Sequence, residues 1–234
     1  MKILGIDSSA KSASVAVVED GKILSSFFVN TGLTHSQTLM PMIDNVLKCA
    51  DIDLTDIELL AVNKGPGSFT GIRIGVAAVK GLADTNDIRC CGISTLESMA
   101  YNLLSFEGIV CAVMDARCAQ VYTALFEITD GKVVRLDDDS AISITELGEK
   151  LKKYSNTKIL VGDGADLCYN ILKDEVENIV LPGELFKYQN AAGVCFAAEN
   201  VNPENYIEGL ALVPEYLRLP QAERELKNKL KKGE

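Results

Sequence analysis

The first half of the chain alternates between strand-like and helix-like hydrophobic patterns. Apolar runs over 2–7, 12–20 and 21–29 predict three strands, and the Asp20-Gly21 pair between the last two is typical of a tight hairpin turn. The elements expected next are a helix over 35–50 with Thr34 as its N-cap, a strand over 58–64, a helix ending near Asp84, a strand over 88–93 and a helix over 95–104. The predicted order is therefore βββαβαβα.

The second half of the chain repeats this pattern. The stretch IVCAVMDARCAQVYTALFEITDGKVV can be laid beside ILGIDSSAKSASVAVVEDGKIL, so that Asp115 falls on Asp7 and the DGK turn at 130–132 falls on the one at 20–22. The remaining predicted elements are a helix over 144–154, a strand over 158–164 and helices over 165–172 and 190–200. The shared order of elements and the two matched landmarks indicate an internal duplication.

Two such lobes, each with an aspartate at the end of its first strand, define the ribonuclease H-like fold doubled as in actin, Hsp70 and sugar kinases. In those proteins the nucleotide lies between the lobes. We predict an α/β protein of two tandem lobes with mixed sheets flanked by helices. Lobe one is expected over 1–105 and lobe two over 106–205, with 206–234 packing back on lobe one. A fold-level analogy implies no activity by itself.

Composition restricts the location and the partners of the chain. It has 23 basic and 33 acidic side chains and a formal net charge of −10, which would repel a nucleic-acid backbone. The lysine-rich end at 221–234 is interpreted as a solvated charged helix. There is no secretion signal and no run of roughly 20 apolar residues, so we expect a cytoplasmic protein. The seven cysteines lack a C-x-x-C pair and are interpreted as reduced core residues.

Six segments carry a resemblance to a known family. GIDSS, THSQTLMPMI, NKGPGSFTGIRIG, GISTLES, VMDARCAQVY and PEYLR occur in this order, and with them the chain resembles the bacterial TsaB (YeaZ) family over nearly its whole length. The resemblance implies a role in forming N6-threonylcarbamoyladenosine at position 37 of tRNAs that read codons beginning with A. Members of this family act there as partners of enzymes and not as catalysts.

The same resemblance implies which partners to expect. TsaD, a paralogue of the same doubled fold, carries the threonylcarbamoyl transfer and would form a heterodimer with this chain. TsaE, a small ATPase, would join the pair, and a homodimer would form when TsaD is absent. ATP would be used by the partner complex, so no cofactor of the chain's own is expected, and tRNA would be reached only through the complex.

The segment GISTLESMA bears on the older glycoprotease label of this superfamily. The resemblance implies that the catalytic paralogues carry two histidines here, four residues apart on one helical face, where both can ligate a metal. In this chain those positions are Thr95 and Met99, which are poor ligands for a divalent ion. His35 is the single histidine and cannot rebuild a site that needs about three protein ligands. We therefore expect no metal and no catalytic residues.

A nucleotide-dependent activity is the alternative function. Asp7, Ser8 and Ser9 stand where the first phosphate loop of the doubled fold begins, and Asp115 stands at the related position of lobe two. We interpret the first three as candidate cofactor-binding residues of a vestigial phosphate loop. An ATP-dependent small-molecule kinase or ATPase would instead use them to hold Mg²⁺ through water and to cradle a phosphate.

The glycine-rich stretch GPGSFTGIRIG at 65–75 does not match a phosphate-binding motif. It follows a strand and opens a helix, but it has no lysine after its glycines and its spacing fits neither a P-loop nor a dinucleotide fingerprint. In the helix that follows, one stripe suits the lobe's own sheet, namely Ile72, Val76, Val79 and Ala83. A second flank is small or apolar and consists of Gly71, Ile74, Gly75, Ala77, Ala78, Gly81 and Leu82.

This second flank predicts a protein-docking surface. Glycine costs about 1 kcal/mol relative to alanine inside a helix, so several glycines favour close approach of another helix. The helix over 35–50 has a similar excess of apolar positions. The predicted interface residues are His35, Leu39, Met42, Ile43, Val46, Ser68, Phe69, Thr70, Gly71, Arg73, Ile74, Gly75, Ala78 and Leu82. Family members use these two helices to pair with TsaD, which agrees with this interpretation.

Overall fold

The computed structural model describes residues 1–218, and their strands form two sheets with the same strand order. The strands are β1 (Lys2–Asp7), β2 (Ala13–Glu19), β3 (Lys22–Val29), β4 (Leu59–Gly65), β5 (Arg89–Ser94), β6 (Gly108–Asp115), β7 (Gln120–Thr129), β8 (Lys132–Arg135), β9 (Ser140–Ser143), β10 (Lys158–Val161) and β11 (Ile179–Val180). Sheet one has the order β3-β2-β1-β4-β5, and sheet two has the order β8-β7-β6-β10-β11 with β9 paired to β7. In both sheets the first three strands pair antiparallel and the last two pairings are parallel.

The α-helices of the described part are α1 (His35–Ala50), α2 (Phe69–Asn86), α3 (Thr95–Tyr101), α4 (Ile144–Leu151), α5 (Ala165–Leu172), α6 (Glu184–Lys187) and α7 (Ala191–Glu199). The predicted bounds of α1 and α5 are confirmed, whereas β9, β11 and α6 were not predicted from the sequence. Thr34 occupies the predicted N-cap position of α1, but its hydroxyl makes no capping hydrogen bond. Within residues 1–218, no helix is both long and apolar enough to cross a membrane.

The landmarks of the internal duplication occupy equivalent places. Asp7 ends β1 and Asp115 ends β6, the central strands of the two sheets. Both DGK segments form hairpin turns with left-handed residues, at φ 48° and 76° for Asp20 and Gly21 and at 52° and 69° for Asp130 and Gly131. This is the geometry that the short hairpin turns of antiparallel strands require.

Helices α3 and α7 are exchanged between the lobes. Helix α7, which the predicted division assigns to lobe two, packs on sheet one, where Ala191 and Cys195 meet Ile3 and Ala16. Helix α3, assigned to lobe one, buries Leu96, Met99 and Ala100 against sheet two. The predicted boundary after residue 105 therefore separates the two sheets but not the helices that cover their inner faces. An apolar helix between two sheets can pack on either, so the sequence pattern does not distinguish them.

The C-terminal segment returns to sheet one. Ile207 forms an antiparallel bridge with Cys90 at the edge strand β5, with N–O distances of 2.7 and 2.9 Å. Further on, the backbone N–H of Glu215 donates to the carbonyl of Lys64 at 2.7 Å. Residues 207 and 215 thus contact lobe one, whereas the predicted helix over 221–234 lies outside the described residues.

The cysteines divide into two groups. Five are buried, and burial raises the pKa of the Cys90 and Cys91 thiols to about 11 and that of Cys168 to about 12. Cys49 and Cys118 are exposed, so the interpretation of all seven as core residues is wrong for these two. Cys49 lies on the solvent side of α1, where the apolar stripe is narrower than the sequence pattern indicated.

Candidate functional site

The glycines of the 65–75 stretch allow the chain to pack closely against itself. A methyl group on Gly67 would overlap the carbonyl oxygen of Ser9, and one on Gly71 would overlap the carbonyl oxygen of Ser8. On Gly75 it would lie 2.5 Å from the Ser8 Oγ. The Ser8 hydroxyl donates to the Gly71 carbonyl at 2.8 Å, and the Ser68 N–H donates to the Ser9 carbonyl at 2.6 Å. The start of α2 therefore lies directly on the loop that follows β1.

This packing corrects part of the predicted docking surface. Gly71 and Gly75 face the lobe's own β1–β2 loop, although the absence of a side chain made them look like an outward flank. On α1, the side chains of Leu39, Met42, Ile43 and Val46 are buried in the core over sheet one, each at most 6% exposed. Helices α1 and α2 lie over the same sheet and share one core, so each of them buries a wide apolar stripe. These six residues are not available to a partner.

The part of α2 that remains at the surface is smaller and more specific. The docking flank, as we call it, comprises Ile74, Ala77, Ala78, Gly81 and Leu82. Ala77 and Gly81 are exposed, and the other three are half-buried. A methyl group on Gly81 would meet no atom within 4 Å, so nothing in the lobe itself requires a glycine there. Ala77 and Gly81 were placed on the small or apolar flank of α2 by the sequence but were not among the predicted interface residues.

The start of α2 borders the space between the lobes. Ser68 is the N-cap, and its Oγ accepts the Gly71 N–H at 3.2 Å. Phe69 is half-buried and Thr70 is exposed, and both border the inter-lobe cleft. His35 lies nearby at the start of α1, where its Nε2 donates to the Ala10 carbonyl at 2.7 Å and its buried Nδ1 has no partner among the described residues. His35 therefore fastens the β1–β2 loop.

The inter-lobe cleft is a cavity of about 430 Å³. Its lobe-one wall includes Lys11 and the glycine loop, and its lobe-two wall includes Asp115, Arg117 and Asp163. The C-terminal segment closes one side with Glu215–Arg218. The two aspartates lie at the carboxyl ends of the neighbouring parallel strands β6 and β10, which is where ligands of open α/β sheets commonly bind.

The predicted phosphate-loop residues lie beneath this cleft and not in it. Asp7, Ser8 and Ser9 are all 0% exposed, and only Ser9 borders the cavity. The Asp7 Oδ1 accepts hydrogen bonds from the Ser9 hydroxyl at 2.6 Å, the Asn63 amide at 2.8 Å and the Ser9 N–H at 3.2 Å. Burial raises the pKa of Asp7 despite these bonds. Asp7 therefore does not line the cleft, and its second oxygen, Oδ2, is buried without a hydrogen-bond partner among the described residues.

The two positions at which the resemblance implies metal-ligand histidines in the catalytic paralogues are part of the core. Thr95 and Met99 are both 0% exposed on α3, and Met99 packs with Val110 and Phe126 of sheet two. Within residues 1–218, no group of three or more histidine, cysteine, aspartate or glutamate side chains is arranged to hold a metal ion. The residues present at this place therefore do not fit a metal site.

Comparison with known proteins identifies two related groups of sequences. The family model described as TsaD, tRNA N6-adenosine threonylcarbamoyltransferase, matches residues 30–226. The chain is 30% identical over 224 residues to the tRNA threonylcarbamoyladenosine biosynthesis protein TsaB of Bacillus subtilis, which covers 95% of this chain and 96% of that protein. It is 34% identical over 167 residues to the protein of the same description from Escherichia coli, which covers 70% of this chain and 72% of that one.

Solved structures share the fold. A Pseudomonas aeruginosa protein described as similar to peptidase YeaZ superposes with a TM-score of 0.80 at 24% identity and covers 93% of this chain and 99% of its own. A structure described as YeaZ from Pseudomonas aeruginosa superposes with a TM-score of 0.74 at 22% identity and covers 92% and 99%. Together with the equal strand orders of the two sheets, these likenesses confirm the predicted α/β fold of two tandem lobes.

Proposed function

Because this chain belongs to the TsaB family of tRNA threonylcarbamoyladenosine biosynthesis proteins, we propose that it serves that pathway as the docking partner and scaffold of the transferase TsaD. In this proposal the transfer is carried out by TsaD, and the chain contributes no catalytic residue. TsaE joins the pair, tRNA is bound only through the complex, and the chain pairs with itself when TsaD is absent.

Gly81 is the observation that carries this proposal. A glycine inside a helix costs about 1 kcal/mol relative to alanine, and the lobe itself gains nothing from this one because the space around it is open. Ala77 is exposed one turn before it on the same flank. Small residues at this spacing permit the close approach of another helix from outside. The docking flank therefore suits a helical surface of a partner protein.

The placement of the other predicted residues supports a non-catalytic role. Thr95 and Met99 are enclosed in the core at the position of the paralogues' metal ligands. Asp7 is enclosed by Ser9 and Asn63 and is separated from the cleft. None of these three side chains lines the cleft. They are therefore retained in this proposal as structural residues.

A kinase or ATPase of the same fold is the second candidate. The observation that favours it is the cavity of about 430 Å³ with Asp115 and Asp163 at its lobe-two wall. Measurement of ATP binding by the isolated chain distinguishes the two functions. Micromolar affinity with Mg²⁺-dependent turnover would support the enzyme, and the docking proposal expects neither.

The test of the docking proposal is a charge placed on the docking flank. Gly81→Glu and Ala77→Glu put a carboxylate at exposed positions, so the lobe should keep its melting temperature within a few degrees. Both variants should lose co-purification with the TsaD of the same organism and should fail to support tRNA modification in a reconstituted mixture. A carboxylate buried without a partner at a contact opposes binding strongly.

The matched control is Asn170→Glu. Asn170 is an exposed position on α5, the helix of lobe two that follows the corresponding strand. This variant should bind TsaD as the wild type does. Light scattering gives the oligomeric state, and circular dichroism confirms folding. If the Gly81 and Ala77 variants pair with TsaD as well as the control does, the docking flank is not the interface and the proposal is wrong.

A further inference from the structure

The segment Pro214–Arg218, PEYLR, fastens the start of α2 to both lobes. The Glu215 carboxylate pairs with the Lys64 ammonium at 2.9 Å at the end of β4. The Arg218 Nη1 donates at 2.9 Å to the Ala116 carbonyl, which belongs to the loop after β6 in lobe two. Tyr216 lies between these two attachments and contacts α2 itself. The segment is therefore held at three points, and the middle one lies on the helix that carries the docking flank.

Arg73 is held in one orientation by this contact. Its guanidinium carbon lies 3.8 Å from the centroid of the Phe69 ring, and its Nε donates to the Tyr216 hydroxyl at 2.8 Å. The Phe69 and Tyr216 rings stack at 4.6 Å with an interplanar angle of 30°. A guanidinium that lies on an aromatic face and donates from Nε to a fixed oxygen has lost most of its rotamer freedom before any partner binds.

The charge of Arg73 is not neutralised within the described part of the chain. No carboxylate of residues 1–218 lies within 4.0 Å of its nitrogens, although Arg73 is exposed on α2. Arg135 differs, because its guanidinium pairs with Asp139 at 2.6 Å and with Glu97 at 3.0 Å. Arg73 is thus ordered without an acidic partner, and its terminal nitrogens remain available for two parallel hydrogen bonds.

Arg73 also lies beside the docking flank. Ala77 is one helical turn further along α2, so the two side chains are neighbours on the helix surface. A partner helix that approaches Ala77 and Gly81 would therefore meet the guanidinium as well. A carboxylate is the group whose shape and charge match a guanidinium in two-point contact.

We infer that Arg73 is the polar anchor of the docking surface and receives a carboxylate side chain of TsaD, and that Tyr216 is the positioning residue that orders it. This inference rests on the proposed function, because it assigns TsaD to the docking flank. It also gives PEYLR a role, since the segment holds a side chain of the interface in its binding orientation.

The test is a double-mutant cycle measured with intact TsaD from the same organism. Arg73→Ala should weaken binding at least about tenfold, because a partner carboxylate would be left buried without its cation. Tyr216→Phe removes only the hydroxyl and should weaken binding about threefold. In the Arg73→Ala background, Tyr216→Phe should have no further effect, since the hydroxyl acts through the arginine. Arg73→Lys keeps the charge but not the two-point geometry and should bind nearly as weakly as Arg73→Ala.

Two controls separate this role from a general loss of stability. Tyr206→Phe removes a hydroxyl from the same C-terminal segment, where it faces Ala198 and Met1, and should leave binding unchanged. Arg89→Ala removes an exposed arginine from the edge strand β5 and should also leave binding unchanged. The difference between wild type and Arg73→Ala should also shrink in high salt, because an ion pair is screened.

The outcomes distinguish this inference from the proposed function. If the wild type does not bind TsaD at all, the proposed function fails and the inference fails with it. If the wild type binds and Arg73→Ala binds equally well, the docking proposal stands and the anchor role is wrong. If Tyr216→Phe weakens binding equally in both backgrounds, the hydroxyl does not act through Arg73 and the positioning role is wrong.

Discussion

The two lobes share one strand order but differ in the burial of the aspartate at the end of their central strand. In lobe one, Asp7 is 0% exposed and lies under the glycine loop that begins α2. In lobe two, Asp115 is exposed at the cleft. The loop after it turns outward through three left-handed residues, Arg117, Cys118 and Ala119, at φ 63°, 55° and 54°. Glycines permit close packing at this place in both lobes, since a methyl group on Gly162 would overlap the Val113 carbonyl oxygen, but in lobe two the packing leaves Asp115 exposed.

The helices that follow β4 and β10 also differ, in their length and in the residues that they expose. Helix α2 has 18 residues and presents small residues to solvent, whereas α5 has 8 residues and exposes Leu167 and Ile171. Both helices cover the parallel half of their sheets. The duplication has kept the strand order, and the connection after β4 or β10 has determined what each lobe presents to its surroundings.

Among the substitutions that test this comparison of the lobes, Gly71→Ala is expected to have the largest effect on stability. The new methyl group would overlap the Ser8 carbonyl oxygen, a backbone atom that cannot move without shifting β1. The free energy of unfolding should fall by about 3 kcal/mol, at the upper end of the cost of overpacking. The measurement is chemical denaturation monitored by circular dichroism.

Gly81→Ala is the matched control on the same helix. Its methyl group would meet no atom within 4 Å, so the gain in helix propensity should raise the free energy of unfolding by about 0.5–1 kcal/mol. The two glycine-to-alanine substitutions should thus change the free energy of unfolding in opposite directions. Equal responses would show that the β1–β2 loop does not lie against α2 as described.

Asp7→Asn should change how stability depends on pH. Burial raises the pKa of Asp7 in the folded chain above the ordinary value of about 3.9. As pH rises through the window between these two values, the unfolded chain loses the proton while the folded chain keeps it, so the wild type loses stability. The contribution is at most about 1.4 kcal/mol per pH unit, and Asp7→Asn should remove it.

Asp115→Asn serves as the lobe-two counterpart of this variant. Asp115 is exposed, so its replacement should change the free energy of unfolding by less than about 0.5 kcal/mol. Urea denaturation of both variants and the wild type between pH 4 and pH 8 makes the comparison. If the free energy of unfolding depends on pH in the same way for the wild type and for Asp7→Asn, the enclosed placement of Asp7 is wrong.

The smallest expected effect concerns thiol reactivity, with no change in stability. Each lobe contributes one exposed cysteine, Cys49 and Cys118, while the other five are buried. Burial raises the pKa of Cys90 and Cys91 to about 11 and that of Cys168 to about 12, which keeps them as unreactive thiols. A disulfide-exchange reagent should label two thiols of the native protein rapidly and the remaining five only after unfolding. Rapid labelling of a third thiol in the native state would show that one of the cores is open.

Periodicity was sufficient to predict α1, α5, the duplication and every strand except the short β9 and β11, because burial of one face leaves a regular apolar spacing. It was insufficient for α2, where Gly75 faces the sheet and Gly81 faces solvent, because glycine has no side chain to reveal its side of the helix. It also failed for the predicted α1 interface. Leu39 and Val46 belong to the core over sheet one. The apolar pattern of a helix does not show how much of its apolar surface the chain's own sheet will bury.

The contacts of Tyr216 with Arg73 and of Arg218 with Ala116 had no sequence signal beyond the resemblance of PEYLR to a family motif. Such contacts join residues more than a hundred positions apart, and no local spacing specifies them. The enclosure of Asp7 was missed for a related reason, since the Asn63 amide that bonds its carboxylate belongs to β4, 56 positions further along the chain. Side chains that depend on distant segments are therefore the part of the site that only the folded chain reveals.

The exchange of α3 and α7 has a consequence for synthesis on the ribosome. All five strands of sheet one have been synthesised once residue 94 is added, but the helix that covers their inner face ends only at residue 199. Sheet two, in contrast, finds α3 already present when its own strands emerge. Nascent chains usually complete their domains in order from the N-terminus. In this protein the lobe that is made first is completed last.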